Sequence, residues 1–146
     1  MNPAIEQFFL GKDLYQQTVM PVCKKYDLTY MEYTVLMFLF NNPGCDTATQ
    51  IVRARNLTKS HVSISVKALQ GRGLITGEYF PGNQRIVHLK LTEAAQPIVA
   101  EGKAAQEHYG KLLLRGFTRK ETEQLQYLME KLNGNIKAEV EKNAEQ

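Results

Sequence analysis

The sequence has no tryptophan, only two cysteines, and no apolar run approaching the roughly 18 residues that a membrane-spanning helix requires. Cys23 and Cys45 lie far apart, without CxxC spacing or a neighbouring histidine, which argues against a zinc site. The N-terminus lacks a basic leader followed by an apolar core and a cleavage site. We therefore expect a cytoplasmic protein that binds no metal, needs no cofactor and has no membrane partner.

Motifs of catalysis are missing as well. The chain has no nucleophile elbow, no Gly-rich phosphate loop and no evident acid/base pair. An enzyme is therefore the least favoured class of function. The length of 146 residues, with 43% hydrophobic and 23% charged residues, suits one domain that buries its own core without disulfides. We predict a single domain spanning residues 1–146.

Acidic residues are absent from Thr47 to Gly77, although the net charge of the whole chain is only +3. The same segment carries five basic residues: Arg53, Arg55, Lys59, Lys67 and Arg72. Such local charge patterning is more informative than the net value, because basic residues without acidic neighbours attract phosphates. The segment is a candidate nucleic-acid contact.

A helix is predicted to follow Thr58, whose hydroxyl can cap the first turn. Val62, Val66 and Leu69 recur at helical spacing and should pack inward. Polar residues lie on or beside the opposite face: Lys59, Ser60, Ser63 and Lys67. Gly73 suits a helix C-terminus, so the helix should end near 70–72.

A short hairpin should follow this helix. Leu74–Phe80 and Arg85–Leu91 read as two strands, joined by a mobile tip of Pro81, Gly82 and Asn83. Upstream, Thr47–Ala54 reads as a second short helix. Two short helices joined by a tight turn form a helix-turn-helix unit, and the hairpin would be its wing.

Longer helices should flank this unit. The first spans Ala4–Tyr26, where Pro21 should kink or interrupt it, and a nearly all-apolar second helix begins after Thr29 and reaches about Phe40. A fifth begins after Thr92 and either starts late or bends at Pro97. The last follows a capping box at Thr118 and carries an apolar stripe of Leu125, Leu128, Met129, Leu132 and Ile136. Because terminal helices with apolar stripes need a partner surface, we expect a homodimer built from the first and last helices.

The chain resembles the MarR family of bacterial winged helix-turn-helix transcription regulators over nearly its whole length. The segments that carry the resemblance are 57–63 (LTKSHVS), 69–75 (LQGRGLI), 83–85 (NQR) and 89–92 (LKLT). The resemblance implies a mainly α fold with a small β-hairpin wing (α+β). It further implies dimerisation helices in residues 1–28 and 93–146 around a winged helix-turn-helix lobe in residues 29–92.

The resemblance also implies roles for individual residues. The helix after Thr58 would enter the major groove, and Arg85 would reach an adjacent minor groove or its phosphates. The predicted DNA-binding residues are Arg53, Thr58, Lys59, Ser60, His61, Ser63, Ile64, Lys67, Asn83, Gln84 and Arg85. The family usually has Asp where Asn83 stands and often Arg where Gly77 stands, and these two typically form an ion pair. Since both partners are missing here, we expect a looser wing rather than a broken one.

By the resemblance, the favoured function is a dimeric repressor of transcription, released from DNA by a small-molecule effector. Its partner would be double-stranded DNA with a pseudo-palindromic operator, whose half-sites lie about one helical turn apart. By the resemblance, the effector would be small and often aromatic and anionic. The candidate pocket residues, each equally suited to the core, are Tyr15, Tyr26, Tyr30, Tyr33 and His108.

Two alternative functions remain at this point. A winged helix can serve as a protein-interaction module whose basic face meets an acidic partner, without sequence-specific DNA binding. A thiol-based redox-sensing regulator would need Cys23 or Cys45 to be exposed and of lowered pKa. Because Cys23 follows the apolar face of the first helix, a buried, inert thiol is the favoured interpretation there.

Overall fold

The computed structural model describes residues 1–145. In this range the chain forms six α-helices, a single 3₁₀ turn and a two-stranded antiparallel hairpin, which confirms the predicted mainly α fold with a β-hairpin wing. The helices are α1 (Pro3–Lys25), α2 (Tyr30–Asn41), α3 (Ala48–Arg55), α4 (Lys59–Gly71), α5 (Gln96–Leu113) and α6 (Arg119–Ala144). The strands are β1 (Ile75–Phe80) and β2 (Asn83–Leu91), and the 3₁₀ turn is Glu93–Ala95.

Side-chain caps set most of the helix starts. Three helices, α2, α3 and α6, begin with capping boxes at Thr29, Thr47 and Thr118. In each, the threonine hydroxyl accepts the backbone N–H three residues on, and the Glu or Gln side chain at that position accepts the backbone N–H of the threonine. Asn2 caps α1 and Thr58 caps α4 with single side-chain bonds. The short local signals in the sequence therefore mark these boundaries correctly.

The two prolines within the predicted flanking helices have different effects. Pro21 does not interrupt α1, which continues through it to Lys25, so the predicted interruption does not occur. Pro97 stands in the first turn of α5, where its missing N–H leaves no intrahelical bond unmade. Of the two outcomes predicted for the fifth helix, the late start is therefore the one observed, because Glu93–Ala95 forms a 3₁₀ turn ahead of it.

The chain divides into two compact units, Met1–Tyr109 and the part from Gly110 onward. The first unit holds the core, and α2 lies at its centre with six of its twelve residues buried. Around it pack Val19 and Cys23 of α1, Ile51 of α3, Val62 and Leu69 of α4, Ile75 and Leu89 of the hairpin, and Ile98 and Val99 of α5. The helix-turn-helix, the wing and parts of α1 and α5 thus share one core, while the division into dimerisation helices and a DNA-binding lobe stays a prediction.

The second unit contains α6, and none of its described residues is buried. Its apolar stripe is exposed to solvent: Leu125, Leu128, Met129, Leu132, Ile136 and Val140. Within residues 1–145, no helix combines the length and hydropathy needed to cross a membrane.

Candidate nucleic-acid interface

Helix α4 presents one buried and one exposed face. Val62, Ser65 and Leu69 point into the core, with Ser65 only 5% exposed. At the start of the helix, the Thr58 hydroxyl accepts the His61 backbone N–H at 3.3 Å. The residues on the opposite face of α4 are exposed to solvent.

All eleven residues predicted to bind DNA are exposed. Those of α4 form a single strip over its first three turns, which contains two lysines and no acid. Ile64 stands within this strip and exposes 66% of its surface, so the core does not account for it. Exposed apolar side chains of this kind can contact a thymine methyl group in the major groove. The strip therefore combines cationic, hydroxyl and apolar groups of the kinds that read base edges.

Helix α4 and the wing share a shallow groove. Ser63 and Lys67 line it together with Val87 of β2 and Ala48 of α3, and its volume is about 210 Å³. The structure thus brings two of the predicted contacts beside the wing, whereas Arg53 lies in the last turn of α3.

The wing is more irregular than predicted. Ile75 to Tyr79 pair in register with Leu91 to Val87, but Phe80 pairs with Asn83, so residues 84–86 bulge out of the ladder. The predicted three-residue tip is therefore a two-residue turn, Pro81–Gly82, and β2 begins at Asn83 rather than Arg85. Gly82 has a φ of +85°, a conformation that favours glycine. The sequence-based boundary failed because pairing across the hairpin, not local propensity, decides where the bulge falls.

Asn83 holds the bulge by a local hydrogen bond. Its side-chain oxygen accepts the Arg85 backbone N–H at 3.1 Å. This bond fixes the backbone that carries the Arg85 side chain, although no ion pair is present at residue 77. Asn83 therefore has a structural role at the tip of the wing.

Arg85 faces a second groove, formed with the N-terminus of α3. Thr47, Thr49 and Gln50 line this groove together with Arg85 and Ile86, and its volume is about 580 Å³. Thr47, Thr49 and Gln50 are not among the residues predicted to bind DNA. Thr47 caps the start of α3, and its proximity to the wing depends on tertiary packing.

Hydrogen bonds join the β2 strand of the wing to Asp46, in the segment before α3. The Asp46 carboxylate lies 2.8 Å from His88 Nδ1, and the Asp46 carbonyl accepts the Leu89 N–H at 2.7 Å. The Phe80 ring stacks on the His88 imidazole, with the ring centroids 3.8 Å apart and the ring planes 9° from parallel. The two Asp46 contacts, which join residues about forty positions apart, limit how far the wing can move relative to α3.

Two of the five basic residues in the acid-free segment contact other parts of the protein. The Arg55 guanidinium lies over the Phe38 ring at 5.0 Å, and Arg72 donates to the backbone carbonyls of Tyr26 and Asp27. Arg55 and Arg72 therefore have partners within the protein, which the charge pattern of the segment does not reveal. Arg53, Lys59 and Lys67 are exposed cations as well. The charge pattern alone cannot separate a cation that faces only solvent from one that also contacts the protein.

Arg55 contributes to a small pocket between α1, α2 and α5. Its other walls come from Tyr15, Tyr30, Thr34, Met37, Phe38, Asn41 and Gln106, and its volume is about 100 Å³. Gln106 orders one side by donating to the Tyr15 hydroxyl at 2.9 Å and by accepting from Asn41 at 2.9 Å. The pocket therefore combines aromatic walls, an ordered polar side and one guanidinium.

The predicted pocket residues are only partly brought together. Tyr15 and Tyr30 line the pocket, and Tyr33 lies behind it with its hydroxyl 3.4 Å from that of Tyr15. Tyr26 and His108 are not among its lining residues. Desolvation by burial raises the pKa of Tyr33 well above its usual range, and it also raises the pKa of Tyr30. Tyr30 and Tyr33 are thus neutral hydrogen-bonding groups at ordinary pH.

The two thiols differ in their surroundings. Cys23 is fully buried, and desolvation raises its pKa, whereas Cys45 is partly exposed. A raised pKa reduces the thiolate fraction, which is the reactive form of cysteine. Among residues 1–145, no group of His, Cys, Asp or Glu side chains is arranged to hold a metal ion.

Part of the chain matches the model of a known family. Residues 26–86, from the end of α1 to the bulge of the wing, match the model of the MarR family. Over residues 26–86 the chain is therefore similar to the MarR family. The matched part contains α2, α3, α4 and β1, that is, the helix-turn-helix and most of the wing.

Solved MarR-family structures share the fold along almost the whole chain. The transcriptional regulator SlyA has a TM-score of 0.79 at 17% identity, and the match covers 94% of this chain and 96% of that one. A putative MarR family transcriptional regulator from Listeria monocytogenes, solved with a 26mer DNA, has a TM-score of 0.79 at 20% identity, covering 93% and 89% of the two chains. MepR from S. aureus, solved in a DNA complex, has a TM-score of 0.73 at 17% identity, covering 92% and 98%. The protein therefore has the fold of MarR-family transcriptional regulators, and that fold is seen bound to DNA in two of these relatives.

Proposed function

We propose that the protein is a sequence-specific DNA-binding repressor that acts as a homodimer and is released from its operator by a small aromatic anion. The observation that carries the proposal is the exposed, acid-free strip of α4 beside the wing. No requirement of the core explains why Lys59, Ser60, His61, Ser63, Ile64 and Lys67 should all face solvent on one helix. A helix placed in the major groove uses such a strip directly.

The individual contacts divide into two kinds. Lys59, Lys67, Arg53 and Arg85 are suited to phosphates, which supply affinity without sequence information. His61 and Ser63 are suited to base edges, with discrimination of about 1–3 kcal/mol for each well-formed contact. Thr58, Ser60, Ile64, Asn83 and Gln84 complete the proposed interface.

Charge removal at Lys67 tests the proposed docking. Lys67→Ala should lower affinity for every duplex and reduce the slope of log K against log salt by about 0.9, the effect of losing one phosphate contact. The matched control is Lys103→Ala, which removes the same charge from an exposed position on α5. Fluorescence anisotropy over a salt series measures both. Equal slopes for the Lys67 and Lys103 variants would remove α4 from the interface.

The homodimer is supported by the apolar surface that the single chain leaves exposed. Leu128, Leu132 and Ile136 of α6 are each at least half exposed, and so are Phe8 and Phe9 of α1. Exposed apolar residues that recur along one helix, as in each of these two helices, mark association surfaces in soluble proteins. A second copy would cover them and would place two α4 helices on one DNA face, as a pseudo-palindromic operator requires.

Sedimentation velocity tests the dimer. Leu132→Glu places a charge on the α6 stripe, and Ala138→Glu places the same charge on the opposite face of the same helix. We expect the first variant to sediment as a monomer at micromolar concentration and the second to behave as wild type. A wild-type monomer, or equal behaviour of both variants, would contradict the proposed interface.

The effector is proposed to bind in the Arg55 pocket. A guanidinium among aromatic walls suits a carboxylate attached to a ring. At about 100 Å³ the cavity is smaller than the several hundred Å³ typical of drug-sized ligands, so the proposal is limited to a single ring unless the pocket opens. Calorimetric titration with benzoate should give binding that Arg55→Gln abolishes and Arg53→Gln preserves, and equal binding by both variants would exclude this pocket.

A further inference from the structure

Arg72 joins the end of the candidate recognition helix α4 to the end of α1. It stands at the C-cap of α4, and its guanidinium donates from Nη2 to the Tyr26 carbonyl at 2.7 Å and from Nη1 to the Asp27 carbonyl at 2.9 Å. Tyr26 is the C-cap of α1, and Asp27 follows it with a φ of +51°, in the left-handed region. One side chain thus contacts two consecutive carbonyls across more than forty residues of sequence.

The chemistry of this contact favours arginine specifically. The last carbonyls of a helix lack intrahelical partners and carry partial negative charge, so a cation is stabilised there. A planar guanidinium can satisfy two carbonyls at once, whereas an ammonium is a single point charge with no fixed fork. Arg72 therefore caps α1 from outside while being rigidly attached to α4.

The exit of α4 is held on a second side as well. The Thr92 hydroxyl donates to the Gly73 carbonyl at 2.7 Å, and the Thr92 N–H donates to the Leu74 carbonyl at 3.1 Å. Residues 72–74 are thus held to the α1 terminus by Arg72 and to the end of β2 by Thr92. These two attachments leave α4 little freedom to pivot about its C-terminal end.

We propose that Arg72 is a positioning residue for DNA recognition: it sets the orientation of α4 relative to α1 and does not bind phosphate. The inference rests on the proposed DNA-binding function. Base-edge contacts depend on the angle of the helix in the groove, whereas attraction to phosphates depends mainly on charge. Loss of this strut, the contact of Arg72 with the Tyr26 and Asp27 carbonyls, should therefore lower affinity for the operator more than affinity for random DNA.

The test compares Arg72→Ala, Arg72→Lys and Lys67→Ala in the full chain. Anisotropy is measured on the selected operator and on a random duplex over a salt series, with thermal unfolding of each variant alongside. For Arg72→Ala we expect about a tenfold loss of affinity for the operator, the scale of one or two hydrogen bonds from a charged group, with random-duplex affinity and salt slope unchanged. Arg72→Lys should recover part of the loss, because it can reach one carbonyl at a time.

Other results would overturn the proposal. A lower salt slope with loss on both duplexes, as expected for Lys67→Ala, would make Arg72 a phosphate ligand. An equal loss on both duplexes with an unchanged slope and a lowered unfolding temperature would make its role one of stability alone. Unchanged affinity for the operator would show that the strut does not act on recognition.

Hydrogen exchange on the DNA-free protein tests the strut independently of DNA binding. Arg72→Ala should accelerate exchange of the Leu28 and Leu74 amides, which lie beside the two ends of the contact, while Lys67→Ala should not. Unchanged exchange at both amides would refute the strut itself. If the wild type selected no operator but the exchange result held, the proposed function would fail and the mechanical link would stand.

Discussion

Gly77 is the position where wing packing can be perturbed most sharply. A Cβ added there would lie 2.7 Å from Val87 Cγ1 on the paired strand and 3.1 Å from Gln70 Nε2 of α4. The first distance is well inside the 3.5–4.0 Å at which carbon atoms make favourable contact. The amide end of Gln70 is flexible and can move aside, so Val87 sets the cost. Gly77→Ala should therefore strain the hairpin.

The expected magnitude follows from two opposing effects. Overpacking of this kind costs about 1–3 kcal/mol. Replacing a strand glycine by alanine returns about 0.5–1 kcal/mol, because glycine loses more conformational entropy on folding. We therefore expect Gly77→Ala to lower the free energy of unfolding by about 1 kcal/mol. Val87 is half-buried, and its truncation to alanine alone should cost a similar amount.

A double-mutant cycle isolates the contact. Urea unfolding, followed by circular dichroism at one fixed protein concentration, gives the unfolding free energies of wild type, Gly77→Ala, Val87→Ala and the double variant. Removing Val87 Cγ1 leaves the new methyl group free of its main clash. The double variant should therefore be more stable than the sum of the single changes predicts, by about 1–2 kcal/mol.

Gly71→Ala is the matched control. Gly71 ends α4, and a Cβ there would meet no atom within 4 Å, so the same substitution should be neutral or stabilising by up to about 1 kcal/mol. Additivity of the Gly77 and Val87 changes within about 0.5 kcal/mol would refute the argument. Greater stability of Gly77→Ala than of Gly71→Ala would refute it as well.

Three further predictions concern single side chains. Because burial raises the pKa of Tyr33, the unfolded chain ionises first as pH rises above about 10, and the free energy of unfolding should fall there. Tyr33→Phe should make that fall smaller in urea titrations from about pH 9 to 11. Cys45 should react with iodoacetamide in the native protein much faster than Cys23, whose thiol is buried with a raised pKa, and mass spectrometry of digested samples would reveal the reverse order if this is wrong. His88→Ala removes both the side-chain bond to Asp46 and the stack on Phe80, and it should accelerate hydrogen exchange of the wing amides. Unchanged exchange would show that the backbone bond between Leu89 and Asp46 holds the wing without these two contacts.

Elements with local signals were predictable from the sequence. Thr29, Thr47, Thr58 and Thr118 each mark a helix start, because a cap and its partner lie within three residues of each other. The inward stripe of α4 was predictable for the same reason, since helical periodicity alone decides which face is apolar. Here the sequence and the structure agree closely.

Features that depend on distant partners were not predictable in this way. The bulge at residues 84–86 depends on hairpin register, and the Asp46–His88 contact depends on how the wing packs on α3. Arg55 and Arg72 belong to a basic segment by composition, yet the fold directs one to a pocket and the other to the α1 terminus. A charge pattern specifies which residues are available for phosphates, and tertiary structure decides which of them are free.

Selection of random duplex DNA on the purified protein, read by sequencing and followed by anisotropy of the winners over a salt series, tests the central claim most directly. The proposal predicts an inverted repeat whose half-sites are about one helical turn apart, bound at least about a thousandfold more tightly than random DNA. Recovery of no motif, with binding that changes only with ionic strength, would contradict it. That result would favour a winged-helix module whose basic face binds a protein partner.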